Sequence, residues 1–278
     1  MSLGIFLAVL GSAFLHALWN ALIKLGTSKV GGMVILSIVE VPIGLMVVLF
    51  TDAIDRAAVP WVIAAGCTHF AYKFFLTYAY DRGDLSRVYP IARGAAPMVV
   101  ALVGAVFLAD AVTGQEYLAI AVLAAGILLM ARGVFASGED RRLLPFALGS
   151  ACATATYTLI DGMGSRISGV PVAYVAWVFV ADGTFFTLGM VALRGWDVIP
   201  RSFHAWRMGA VASAASFGAY GVSIWAMSYA PIAVVAALRE TSILFAVLIG
   251  WLIFGEKMTG EKAIASVVIV AGVILTRL

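Results

Sequence analysis

The sequence predicts an all-α integral membrane protein: ten transmembrane helices arranged as two inverted five-helix repeats. Three observations carry that reading. Apolar residues make up 63% of the 278 residues while Asp, Glu, Lys and Arg make up 12%. The apolar residues are gathered into ten stretches of membrane-spanning length, and the second half of the chain rewrites part of the first. A soluble domain carries a charged share of roughly 25%, so this chain has too little polar residue to coat a globule in water. A soluble enzyme, a disordered chain and a disulfide-rich secreted domain are excluded. The net charge of +3 is small and its Lys and Arg are scattered, so no nucleic-acid partner is expected.

A hydrocarbon core of about 30 Å needs about 20 mostly apolar helical residues per crossing. Such stretches fall at 3–25, 31–50, 60–80, 88–109, 116–136, 144–163, 170–192, 207–228, 232–254 and 261–277. Their length rules out the short alternating strands of a β-barrel. Turn residues separate them, among them Gly31-Gly32, Asp81 to Asp84, Ser137 to Asp140 and Gly255-Glu256-Lys257. The connectors leave no room for a soluble domain. The first stretch has no Lys or Arg before it and is too long for the apolar part of a signal peptide, so it is read as a true span.

Shifting the chain by 146 residues lays 93–129 on 239–275 without a gap, with ten identities in 37 positions. Arg93 meets Arg239, Gly104 meets Gly250, Thr113-Gly114 meets Thr259-Gly260, Gly126 meets Gly272, and Asp110 falls on Glu256. Trp19-Asn20 and Tyr157-Thr158 give a weaker match at an offset of 138. The units are residues 1–136 and 144–278, joined by the loop 137–143. Five is odd, so two copies cross the membrane in opposite senses, the inverted-repeat arrangement of alternating-access transporters. Lys73, Arg93 and Arg239 lie inside spans. Of the other Lys and Arg, twelve lie in odd-numbered loops and three, Arg56, Arg166 and Arg277, do not. By the positive-inside rule the odd loops are cytoplasmic and both termini lie outside.

Cys67 and Cys152 lie far apart in apolar runs and are read as small core residues. With His16, His69 and His204 as the only histidines, no metal site is expected, and no cofactor.

Ala230-Pro231-Ile232-Ala233-Val234-Val235, Arg239-Glu240 and Phe254-Gly255-Glu256-Lys257-Met258-Thr259-Gly260 resemble the EamA-type branch of the drug/metabolite transporter superfamily. The first-half counterparts are Val88-Tyr89-Pro90, Arg93, Leu108-Ala109-Asp110 and Thr113-Gly114, and Trp19-Asn20 with Lys24 in the first span look similar too. The resemblance runs over essentially the whole chain. It implies a ten-helix transporter of small organic metabolites, often an exporter, expected as a monomer with a dimer left open. The expected location is a bacterial inner membrane. The chain departs from the family in two ways. Family members are often drawn with cytoplasmic termini, and Asp110 stands where Gly-Glu is usual.

Ionisable groups deep in a bilayer cost at least about 2.5–3.5 kcal/mol on the insertion scale, so each asks for a partner or a cavity. His16, Asn20 and Lys24 recur at four-residue spacing and, with Trp19, make a polar stripe on the first span. His69 and Lys73 repeat the spacing on the third, with Tyr72 nearby. Arg93 and Arg239 occupy equivalent places, and Glu40, Asp161, Asp182 and Glu240 supply carboxylates. Lys24 can also snorkel to the interface, and Glu40 can be the ion-pair partner of Lys73 or Arg93. The candidate substrate-binding residues are His16, Trp19, Asn20, His69, Tyr72, Lys73, Arg93, Tyr157, Tyr220, Arg239 and Glu240. Their cationic lean suits an anionic or zwitterionic metabolite such as an amino acid. The alternatives are export of lipophilic cations or a channel. No His-Glu-x-x-His or paired intramembrane aspartyl motif occurs, so no catalytic residues are assigned. Prolines 42, 90, 97 and 231 and the Gly218/Gly221 pair are the expected flexing points. Protons are expected to couple, if at all, through His16, His69 or Glu240.

Overall fold

The computed structural model describes the chain apart from residues 27, 81–95, 108–111, 137–140, 256–257 and 278. Among the described residues all regular structure is helical, with short 3₁₀ turns between α-helices. The helices are α1 (Leu3–Leu25), α2 (Lys29–Leu49), α3 (Val59–Tyr80), α4 (Ala96–Phe107) and α5 (Gly114–Ala136) in the first half. The second half has α6 (Leu144–Ser168), α7 (Pro171–Arg194), α8 (Phe203–Met227), α9 (Ile232–Arg239), α10 (Ser242–Phe254) and α11 (Gly260–Leu275). Five segments are long and apolar enough to cross a membrane: Leu3–Ile23, Lys29–Leu49, Pro171–Arg194, Phe203–Met227 and Ile232–Ile253. Helices α3, α5 and α6 are as long, and α3 and α6 carry the ionisable residues His69, Lys73 and Asp161.

Helix starts follow local chemistry. Ser2 and Ser28 hydroxyls accept from the amides of Ile5 and Gly31 at 3.3 and 3.0 Å. Thr113 and Glu116 form a reciprocal capping box at the start of α5, 2.8 and 3.2 Å, which satisfies two amides that the first turn leaves open. Helices α6 and α10 end on Gly169 and Gly255, both left-handed at φ 69° and 66°, a conformation that only glycine adopts without strain.

The expected ninth span, 232–254, is not one helix. It breaks at Glu240-Thr241, where the Glu240 and Thr241 amides bond back three residues to the carbonyls of Ala237 and Leu238. The Thr241 hydroxyl donates to the Leu238 carbonyl at 2.7 Å, and α10 then restarts at Ser242. In the first half, α4 begins at Ala96, the residue that the 146-residue offset lays on Ser242.

Packing runs across the two halves. The extensive contacts pair α1 with α8, α2 with α7, α3 with α6 and α5 with α11, and α3–α7 and α2–α8 follow. Glycines allow the closest of these. A Cβ on Gly126 would lie 2.7 Å from Ile269 Cγ1 and 2.9 Å from its amide nitrogen. A Cβ on Gly272 would lie 2.7 Å from Leu123 Cγ and 2.8 Å from its nitrogen. The matched glycines of the repeat thus face each other's helices at one crossing. At the α2–α7 crossing, Gly44 lies against Ala176 and Val180 while Gly183 lies against Ser37 and Val41.

One expectation is overturned. Cys67 and Cys152 are free and exposed rather than in the core. In a bundle whose surroundings are hydrocarbon, a weakly polar thiol faces outward without loss.

The crossing of α5 and α11 makes a clear prediction. Gly126→Ala places a methyl against the Ile269 backbone, which cannot rotate away, and overpacking of this kind costs about 1–3 kcal/mol. Gly11→Ala, where nothing lies within 4 Å, costs nothing. Thermal unfolding of the two variants in detergent should show a lowered midpoint for the first alone.

Candidate functional site

The polar side chains that the apolar helices carry are gathered inside the bundle, and α3 brings two groups of them together. Lys73 points between α2 and α7. Its Nζ lies 2.5 Å from Glu40 Oε2, 2.6 Å from Asp182 Oδ2 and 2.9 Å from Ser37 Oγ. Ser216 on α8 donates to Glu40 Oε1 at 3.2 Å, so four helices meet on three charges. All three charged residues are buried. Desolvation of this kind is tolerated only where charges are matched and hydrogen-bonded. Asp182 Oδ1 alone has no hydrogen-bond partner among the described residues.

One helical turn earlier, His69 Nε2 lies 2.8 Å from Asp161 Oδ2 on α6 and 3.2 Å from the Tyr220 hydroxyl on α8. Tyr220 also donates to Asp161 Oδ2, and Tyr174 on α7 donates to Asp161 Oδ1 at 3.1 Å. Asp161 is fully buried, 0% exposed; three donors stand in for the water it has lost. The His69 ring stacks on Tyr157 at 4.2 Å between centroids and meets Tyr220 edge-on at 5.1 Å. Tyr72 packs edge-on against Tyr157 at 5.4 Å. Arg239, the last residue of α9, sets its guanidinium over the Tyr220 ring at 5.1 Å. It is 4% exposed, and no carboxylate pairs with it among the described residues.

Of the predicted residues, His69, Tyr72, Tyr157, Tyr220 and Arg239 therefore form one cluster, and Lys73 adjoins it along α3. Glu240 is buried and caps α9 beside the helix break. On α1, Trp19 Nε1 donates to His16 Nδ1 at 3.2 Å and the Asn20 amide donates to the His16 carbonyl at 2.8 Å. All three are buried. One turn away, Ser12 Oγ donates to the Ala219 carbonyl at 2.7 Å and lies 2.6 Å from Ser223 Oγ, which ties this stripe to α8. Arg93, and with it the side chain of Lys24, lies outside the described residues.

Sequence reasoning missed the centrality of Asp161 and did not name Tyr174. The usable signal was Tyr157 and Asp161 at i, i+4, which puts a carboxylate on the aromatic face of α6. Tyr174 has no such signal, because its partner comes from the neighbouring helix. A cavity of about 460 Å³ opens elsewhere, among Val48, Thr51, Asp52, Val62 and Trp177, and holds none of the predicted residues. Among the described residues no group of three or more His, Cys, Asp and Glu could hold a metal ion.

Apolar helices around a buried set of charged and polar side chains define an integral membrane protein. The model of the EamA-like transporter family matches residues 142–278. Residues 142–278 are thus those of the EamA-like transporter family, part of the drug/metabolite transporter superfamily, whose members are transporters rather than enzymes. No curated protein matches the sequence. A solved crystal structure, described only as that of a protein, is similar over 99% of this chain and 98% of its own, with a TM-score of 0.77 at 18% identity. At that identity the likeness concerns the fold alone.

The Lys73 cluster predicts a specific pattern of stability. Lys73→Met leaves two carboxylates facing each other without a cation, and breaking a buried pair in this way costs about 3–5 kcal/mol. Adding Glu40→Gln and Asp182→Asn removes both orphaned charges and should recover most of the loss. Denaturation midpoints of the single and triple variants in detergent check this.

Proposed function

We propose that the protein is a secondary transporter, an exporter or exchanger, of small anionic or zwitterionic metabolites such as amino acids. It works by alternating access in a bacterial inner membrane. The observation that carries the substrate class is the contrast between its two described intramembrane cations. Lys73 is held by two carboxylates, whereas the buried guanidinium of Arg239 meets an aromatic face and no carboxylate among the described residues. A planar guanidinium with no carboxylate partner among the described residues is suited to gripping two oxygens of a carboxylate or phosphate. Tyr72, Tyr157 and Tyr220 give such a ligand an aromatic wall, and Asp161 with His69 offers a polar end for an amine.

The helix break beside Arg239 favours the same place. Non-helical backbone at membrane depth is tolerated where it is buried in protein or lines a cavity, and discontinuous helices of this kind bind substrate in inverted-repeat transporters. The pairing of helices supports two inverted units, 1–136 and 144–278. Exchanging each helix for its counterpart five spans on turns the α1–α8 contact into α6–α3, and α3–α7 into α8–α2. All four contacts are extensive. The crossings α2–α7 and α5–α11 map onto themselves, with Gly126 against Ile269 answered by Gly272 against Leu123. Units related in this way rock about their shared middle.

A second reading is export of lipophilic cations, favoured by the two carboxylates around Lys73. A thermal-shift screen of the purified protein against amino acids, organic acids, phosphonates and lipophilic cations separates the two. A ligand at a hundredfold excess over its dissociation constant adds about 2.7 kcal/mol of apparent stability. Stabilisation confined to anionic and zwitterionic compounds, and lost in Arg239→Gln, is the expected result. Stabilisation by cations alone, unaffected by that substitution, would overturn the anionic reading.

A further inference from the structure

We propose that Glu40, Lys73 and Asp182 form a proton-binding site, in which one proton is shared by the two carboxylates. One ammonium stands between them, at 2.5 Å from Glu40 and 2.6 Å from Asp182, and each of the three side chains is at most 5% exposed. With every group ionised the cluster carries one net negative charge. An unmatched charge is strongly disfavoured inside a membrane protein. Ser37 and Ser216 contribute hydrogen bonds to the cluster but no charge.

The neighbouring helices do not supply a second cation among the described residues. His69 on α3, Tyr174 on α7 and Tyr220 on α8 all bond to Asp161 of α6. His16 on α1 accepts from Trp19, and Arg239 on α9 lies over Tyr220. A single proton brings the cluster to an ammonium, a carboxylate and a carboxylic acid, with no net charge. Asp182 Oδ1, buried and without a partner among the described residues, gives that proton a place that breaks neither Lys73 bond. Both carboxylates reach the same ammonium, so the proton is assigned to the pair rather than to either residue.

The site lies across the two halves of the chain, with Glu40 and Lys73 from the first and Asp182 and Ser216 from the second. Its helices α2 and α7 cross at Gly44 and Gly183. Parting these helices lets water reach the cluster, and the acid then loses its proton to water as the remaining negative charge becomes solvated. This moves the expected proton site away from His16, His69 and Glu240. The link to substrate movement rests on the transport reading; the proton site itself does not.

Infrared spectroscopy of the full chain in lipid nanodiscs tests it without any ligand. The wild type should show the C=O stretch of one buried carboxylic acid at neutral pH, where exposed carboxyls are ionised. Glu40→Gln and Asp182→Asn should each remove that band, because each leaves Lys73 with a single carboxylate. Denaturing the protein in weakly buffered detergent at neutral pH should release about one proton more from the wild type than from either variant, as expected when only the native state holds it. No such band in the wild type, or a band that survives in both variants, overturns the proposal. So does a band that appears only in Arg93→Gln, since Arg93 would then be the missing counter-charge. Failure to find any transported ligand would leave the infrared result standing.

Discussion

Inside a bilayer a charge has no water to turn to, and Lys73 is where that constraint bears hardest on this chain. An ammonium on α3 that is 4% exposed can be kept only if acids reach it from the helices packed alongside. They do so from both halves of the sequence: Glu40 on α2 and Asp182 on α7, with Ser216 of α8 holding Glu40 in turn. The attraction recovers little more than desolvation takes away, so such a cluster stabilises a fold less than it specifies one. A sliding or rotated α3 would leave Lys73 without its acids, which is penalised far more than a lost apolar contact. The register of α2, α3, α7 and α8 is fixed by this demand.

Close approach is the complementary requirement. Lipid tails are as apolar as leucine, so helices in a membrane gain little from hiding apolar surface and associate through packing and polar contacts. That explains why Gly44, Gly183, Gly126 and Gly272 sit where the helices of the two halves cross. It also explains why the outer surface is freely apolar, with Leu49, Phe50 and Leu252 well exposed, and why two cysteines face outward. The inside of this protein is its polar side. Ser12, Ser37, Thr158 and Asp161 are buried where a soluble protein would place leucines.

That inversion decides what the sequence could reveal. The apolar helices and the glycine match between 126 and 272 were legible because hydropathy and glycine spacing are local properties of the chain. The pairing of Glu40 with Lys73 was foreseeable, since a buried lysine obliges an acid. The Asp161 centre was not, because its donors arrive from 13, 59 and 92 residues away. Only the packing of α3, α6, α7 and α8 brings them together. The break after Arg239 was hidden by apolar residues on both sides of it. The cysteines were misread by applying the burial logic of water-soluble proteins to a chain whose solvent is lipid.

The charge count along the chain had suggested a broadly cationic interior, but position changes its meaning. Lys73 is held between two acids, Glu40 and Asp182, and under the proposed proton site its surroundings favour a proton. Arg239 stands at the end of a short helix, over the Tyr220 ring, with no carboxylate partner among the described residues. His69 lies between the two, its Nε2 committed to Asp161 and its ring stacked on Tyr157. The same helix therefore carries a lysine held by two acids and a committed histidine one turn apart, while Arg239, without a carboxylate partner among the described residues, comes from the other half of the chain. Under the proposed function this separates the work. An anionic group binds against the second half at Arg239, and a proton sits on the α2–α7 seam. A motion that parts the halves then reaches both without either site having to touch the other.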